Sequence, residues 1–130
     1  MRVLVVDDDP FANMVVSSLV SAQEGYHTST ADSGAGCLAQ LGQEAFAESP
    51  CDVVLLDYEL GDMTALSVVQ TIRGCDATGA PMYPWLDGVR IIILSGHDEN
   101  GGYQHDLRAL GIDTFWSKPV GVQQIRDLRQ

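Results

Sequence analysis

A doubly wound α/β domain is the fold class this sequence predicts, on three observations. Short apolar runs rich in β-branched residues alternate with segments of helical periodicity, giving five strand–helix units in all. The strongest of these runs, RVLVV, VVLL and RIIIL, are apolar on both faces, as parallel strands covered by helices on either side must be. Strands one, three, four and five are followed directly by chemistry-bearing polar residues: Asp7 and Asp8, Asp57, Ser95, and Lys118. Alternation of this kind implies a parallel sheet with right-handed crossovers. In such a sheet, ligands bind beyond the carboxyl ends of the strands.

The first strand is Arg2–Val6. Asp9 caps the helix that follows and Pro10 suits its first position. Phe11, Met14, Val15 and Leu19 recur at helical spacing as its apolar stripe, and Gly25 is its stop. His27–Ala31 is a second, shorter strand. After Asp32, Ser33 and Gly34, a second helix carries Leu38, Leu41 and Ala45 and ends near Glu48, ahead of the helix-breaking Pro50. Val53–Leu56 is the third strand, ending in Asp57. Thr64 caps a third helix with Leu66, Val69 and Ile72 inward. Arg90–Leu94 is the fourth strand, ending in Ser95 and Gly96. Tyr103, Leu107 and Leu110 mark a fourth helix stopped by Gly111. Asp113–Trp116 is the fifth strand, and a short last helix turns Val122, Ile125 and Leu128 inward.

One connection is too long for a minimal unit. Gly74–Gly88 exceeds the usual ~4–6 residues. Its prolines, Pro81 and Pro84, keep it out of regular structure, and Met82, Tyr83, Trp85 and Leu86 are too apolar for a solvated linker. It leads from a helix into a strand, so it belongs at the amino-terminal end of the sheet, as a packing or docking element.

Composition bounds the rest. The 130 residues suit one domain, 1–130, with a real core. A formal net charge of −11 argues against direct nucleic-acid binding and for a cation site or a basic partner. No apolar stretch approaches the ~20 residues of a membrane span, and the first apolar run leads into acids rather than following a basic leader. The chain therefore reads as cytoplasmic, with no membrane partner. Cys37, Cys51 and Cys75 are odd in number and widely spaced, which suggests free thiols rather than a zinc site or a disulfide framework.

The opening MRVLVVDDDP places three carboxylates together, and two carboxylates ~4 Å apart repel by about 4 kcal/mol at an effective dielectric near 20. A hard dication removes that repulsion. Mg²⁺ suits it, since it takes oxygen ligands while keeping several waters. Asp57 is then a candidate nucleophile toward phosphorus, forming an acyl phosphate. Lys118, the only lysine in the chain, supplies positive charge from the other side, and the Ser95 hydroxyl can donate to a phosphoryl oxygen.

Four stretches carry a family resemblance: VLVVDDDP (Val3–Pro10), DVVLLDYEL (Asp52–Leu60), IIILSG (Ile91–Gly96) and FWSKP (Phe115–Pro119). In this order and spacing, over essentially the full length, the chain resembles the receiver domain of two-component response regulators. The resemblance implies a flavodoxin-like (βα)5 fold with strand order 2-1-3-4-5. It implies Asp57 as phosphoacceptor, Asp8 as a direct Mg²⁺ ligand, Asp7 as a mostly water-mediated one, and the Glu59 backbone carbonyl as a further ligand. It makes Ser95 the switch hydroxyl, Phe115 the switch aromatic and Lys118 the phosphate-binding amine, and leaves Asp9 to cap a helix. Glu59 and His97 occupy positions suited to tuning the phosphoryl lifetime. Gly61 stands where the family usually has proline, and Thr64–Ala65 where it usually has Asp-Gly.

The expected function is a phosphoacceptor switch, not an enzyme in the ordinary sense, although it catalyses its own phosphorylation and dephosphorylation. Its donor would be a histidine kinase or histidine phosphotransfer protein, and its output an effector or output domain the sequence does not identify. It would act alone or within a hybrid kinase or multidomain regulator. The competing readings are a Mg²⁺-dependent phosphohydrolase with an aspartyl-phosphate intermediate, or a non-phosphorylated interaction module. The first generally needs an Asp general acid where this chain has Glu59, together with a cap domain. The second leaves the four-residue rim unexplained.

Overall fold

The computed structural model describes residues 1–46, 50–95, 104–112 and 114–129. Elements follow one another as β1 (Arg2–Val6), α1 (Pro10–Ser21), β2 (His27–Ala31), α2 (Gly34–Gln43), β3 (Val53–Asp57), α3 (Ala65–Arg73), β4 (Arg90–Ser95), α4 (Gln104–Ala109), β5 (Phe115–Ser117) and α5 (Val122–Arg126). All strand pairs are parallel, and the order across the sheet is β2-β1-β3-β4-β5. The expected doubly wound architecture is thus present, and Gly96, His97, Tyr103, Asp113 and Glu48 lie outside the described residues.

Side-chain alternation along the strands builds two cores. Val3, Val5, Val53, Leu55, Ile92 and Leu94 pack with Val16 and Val20 of α1 and Ile125 of α5. Leu4, Val6, Val54, Leu56, Ile91 and Ile93 pack on the opposite face with residues of α2, α3 and α4, among them Leu41, Val68, Val69 and Leu107. Adjacent residues of one strand therefore enter different layers, and this is why the central runs contain no polar position. Each fully buried Val, Leu or Ile contributes roughly 1.5–3 kcal/mol by leaving water.

The expected N-caps Asp9 and Thr64 are present, Ser33 caps the second helix as well, and α1 ends at Ser21, ahead of the expected stop at Gly25. The Asp9 carboxylate accepts from the Phe11 N–H at 3.0 Å, the Ser33 hydroxyl from Gly36 at 2.9 Å, and the Thr64 hydroxyl from Ser67 at 3.1 Å. The second helix is shorter than expected. It ends at Gln43 and tightens into a 3₁₀ turn over Glu44–Phe46, so Ala45 lies in that turn.

Two helix faces are corrected. On α1, Phe11, Met14 and Val15 are exposed, and the buried residues are Asn13, Val16 and Val20, with Leu19 packed partly against them. Both sets satisfy a helical repeat, and the polar Asn13 concealed the true one. Its side-chain amide donates to the Asp7 carbonyl at 3.1 Å and the Ala31 carbonyl at 2.9 Å, which fixes the roll of the helix over β1 and β2. Asn13→Ala is expected to cost about 1–3 kcal/mol by unpairing a buried carbonyl, measurable by urea denaturation. On α5, Val122 is exposed, while Ile125 and Leu128 are buried as expected.

The long connection is a folded element at the amino-terminal end of the sheet. The Asp76 carboxylate accepts from Thr78 N–H and Ala80 N–H, Cys75 bridges to Pro81, and Gly79 turns the chain at φ +84°. A 3₁₀ turn over Pro84–Leu86 then buries Leu86. Trp85 donates its indole N–H to the Leu41 carbonyl at 2.8 Å and meets Tyr83 edge-on, with ring centroids 5.3 Å apart. Tyr83 and Trp85 thus cover the edge of the second core.

Candidate functional site

Strand register assembles the acidic rim. Val6 pairs with Leu56, so the next residues, Asp7 and Asp57, come side by side where β1 and β3 reach the carboxyl edge. Asp7 is 1% exposed and Asp57 7%, whereas Asp8, one residue on, is exposed to solvent. Asp7 is held by the Asp9 N–H, which donates to its Oδ1 at 2.9 Å. Ser117 pairs with Ser95, and the Lys118 N–H donates to the Ser95 carbonyl at 2.7 Å, which delivers Lys118 from β5 across the end of β4. Its Nζ donates to Asp7 Oδ2 and Asp57 Oδ1, both at 3.0 Å.

Burial pushes the Asp57 carboxyl up from 3.8 to about 6; the Lys118 hydrogen bond opposes the shift and the adjacent Asp7 charge adds to it. Burial works to lower the pKa of Lys118, but its hydrogen bonds to Asp57 and Asp7 outweigh that, and the net direction is upward. The ammonium stays charged at neutral pH.

The donor set fits a hard divalent cation. Asp7, Asp8 and Asp57 each offer a carboxylate oxygen within 4.8 Å of the others. Two of these groups are buried and one is wet, an arrangement that gives fixed charge on one side and room for water ligands on the other. An open groove of about 600 Å³ adjoins Asp7 and Asp8, walled by Met14 and Ser17 on one side and Asp32 and Gln40 on the other.

The other expected residues are distributed as follows. Ser95 is buried at the carboxyl end of β4. Phe115 pairs with Ile93, is half-buried against the second core, and carries the Arg108 guanidinium 4.8 Å from its ring centroid. Glu59 is exposed and bridges to Thr64. His97 lies outside the described residues.

Sequence reasoning missed Asp62. Its Oδ1 accepts from the Gly34 N–H and its Oδ2 from the Ala35 N–H, both at 2.9 Å. These bonds, Ala35's the larger, hold its carboxyl below the usual carboxylate range. A lone acid in a polar loop has no periodicity to announce it. Asn13 was missed for the opposite reason: it sits within an apolar helix pattern, where only its buried partners reveal a role.

Comparison with known proteins gives a consistent result. A family model described as response regulator receiver domain matches residues 3–129. The transcriptional regulatory protein KdpE of Mycobacterium tuberculosis is 34% identical over 122 residues, which span 94% of this chain and 46% of that protein. The chain thus spans about half the length of this relative. Sporulation initiation phosphotransferase F of Bacillus subtilis is 26% identical, over 97% of this chain and 88% of its own length. Among solved structures, chemotaxis protein CheY4 of Vibrio cholerae superposes with a TM-score of 0.78 at 22% identity, covering 98% of this chain and 95% of that one. Among the described residues, no helix is long and apolar enough to cross a membrane.

Proposed function

Because the chain belongs to the response regulator receiver domain family, we propose that Asp57 is its phosphoacceptor, with Lys118, Ser95 and an Mg²⁺ ion as the charge-handling groups. The family's role is that of a phosphoacceptor signalling module rather than a classical enzyme. One observation carries the residue assignment. Asp57 ends β3 at the family's acceptor position, is buried, and meets the Lys118 ammonium at 3.0 Å beside the metal-competent pair Asp7 and Asp8; Asp7 shares the burial and the Lys118 bond, so the strand position makes the distinction.

An Asp57 carboxylate oxygen attacks the donor's phosphorus in line. The bond between phosphorus and the donor atom breaks, its electron pair leaves with the donor, and Asp57 becomes an acyl phosphate. Mg²⁺, when held by Asp7, Asp8, Asp57 and the Glu59 carbonyl, supplies neutralisation of phosphoryl charge. Lys118 gives its donors to a phosphoryl oxygen in place of Asp57, and it needs little movement to do so from 3.0 Å. The Ser95 hydroxyl donates to another phosphoryl oxygen. Phe115 moves in response, and two strands with the fourth and fifth helices shift between pre-existing states. Glu59 tunes the phosphoryl lifetime, and so does His97, which stands two residues after Ser95 in the sequence.

The donor is a phosphotransfer partner of the family's kind, a histidine kinase or a histidine phosphotransfer protein. The output is a changed contact with an effector or an attached domain, and residues 1–130 act as a single unit. Incubation with Mg²⁺ and acetyl phosphate should add one hydroxylamine-sensitive phosphoryl group, read by intact mass. Asp57→Asn should add none, and a modification that survives this change or needs no divalent metal would sink the assignment.

A further inference from the structure

The loop between β3 and α3 holds the acceptor's neighbours, and something must set its position. At its base, Glu59 bridges to Thr64, and the Tyr58 N–H donates to the Leu94 carbonyl at 2.8 Å. The middle of the loop is a glycine, Gly61, whose backbone has wide intrinsic freedom. That glycine lies directly over the metal-competent rim: a Cβ there would stand 3.4 Å from Asp8 Oδ2. A drift of the loop tip by a fraction of an ångström therefore changes the space around Asp8.

The tie that prevents this drift comes from another element. The two Asp62 oxygens grip consecutive N–H groups at the start of α2, a fork with both bonds at 2.9 Å. Carboxylate bonds to helix-terminal N–H groups are charge-assisted and aligned with the helix dipole. Met63 completes the dock. It packs so closely over Gly34 that a Cβ at that position would overlap its side chain. Ser33 already caps α2 through the Gly36 N–H, so the helix has its own terminus without Asp62.

We propose that Asp62 is a positioning residue for the phosphoryl-transfer site, pinning the β3–α3 loop to the start of α2 so that the Glu59 carbonyl and Gly61 stand correctly against Asp8. The proposal rests on the reading of this rim as the metal and phosphoryl site.

Calorimetric Mg²⁺ titration of the full chain tests it, beside thermal unfolding in EDTA and Mg²⁺-dependent phosphorylation by acetyl phosphate. Asp62→Ala should weaken Mg²⁺ binding about 3-fold, less than the roughly 10-fold or greater loss when a group bonded directly to a metal ligand is removed, because Asp62 acts through the loop. The Mg²⁺ concentration needed for half-maximal phosphorylation should rise by the same factor. Asp62→Asn, which keeps one acceptor oxygen, should lose less. Ser33→Ala is the control: it removes a cap from the same helix terminus without touching the loop, and should lower the melting temperature while leaving Mg²⁺ affinity unchanged. Unaltered Mg²⁺ affinity in Asp62→Ala, or an equal loss in Ser33→Ala, overturns the proposal. If the variants show this binding pattern while the wild type accepts no phosphoryl group, the positioning role stands and the reading of Asp57 is overturned instead.

Discussion

Lys118→Met should cut the rate of phosphorylation by acetyl phosphate by about 100-fold, the usual scale when one preorganised donor to a charged transition state is removed. The Lys118 ammonium is the only side-chain cation bonded to the rim, 3.0 Å from both Asp7 and Asp57 among the described residues. Methionine keeps the length and the apolar stem but supplies neither charge nor donors. The same substitution removes the partner of two buried carboxylates. Breaking a buried pair from one side costs roughly 3–5 kcal/mol when it is fully enclosed, and less where, as here, the lysine side chain is 27% exposed. The variant can relieve part of that cost by protonating Asp57, so its instability should grow from pH 5 to pH 8. Stopped-flow phosphorylation and urea denaturation at the two pH values measure both effects. Near-wild-type rates at saturating Mg²⁺ would remove Lys118 from the chemistry.

Asp57→Asn should make the metal-free protein more stable at pH 7.5 by about 1–2 kcal/mol, although it removes the carboxylate proposed as acceptor. Burial raises the folded-state pKa of Asp57 from 3.8 to about 6. The gap corresponds to roughly 3 kcal/mol between the two protonation states, an upper bound once relaxation and the retained Lys118 bond are considered. The sign follows from the direction of the shift. Below pH 3.8 the group is protonated in both the folded and unfolded chains, and its contribution is fully present. As pH rises toward and through 6, the unfolded chain ionises first, and stability is lost. Asparagine cannot ionise, so the variant's advantage should vanish near pH 4 and reach its full size above about pH 7. Mg²⁺ should narrow or reverse it, because the ion binds the folded wild type and stabilises it by mass action. Denaturation curves from pH 4 to 8 in EDTA, then in Mg²⁺, read this directly. An advantage that is independent of pH would mean the carboxylate is not destabilised by burial.

Much of the architecture was legible because it follows from apolar patterning. The runs Val3–Val6, Val53–Leu56 and Ile91–Leu94 serve two cores at once, which is why they carry no polar face. The acids and the lysine were legible because strand ends are fixed points: once the strands are set, Asp7, Asp57 and Lys118 fall on one rim. What escaped depends on contacts across the chain. The roll of α1 is decided by Asn13 reaching back to carbonyls of Asp7 and Ala31, and a hydrophobic pattern holds no information about a buried amide. The Asp62 carboxylate meets a helix start 28 residues earlier in the chain. The bond from Trp85 to Leu41 is equally non-local, so composition revealed an apolar connection but not the surface it covers.

The shortness of β5 has a consequence for how the molecule opens. This strand has three residues, is half-exposed, and lies at the margin of the sheet, while β1, β3 and β4 are central and almost wholly buried. Few cross-strand bonds secure it, among them those from Ile93 N–H to the Thr114 carbonyl and from Lys118 N–H to the Ser95 carbonyl. Amide protons on this border should exchange with solvent through small local openings, whereas those of Val5 and Leu55 await global unfolding. This loosely secured border is also the one that carries Phe115 and Lys118. The fold can therefore rearrange this edge many times over within the lifetime of its centre.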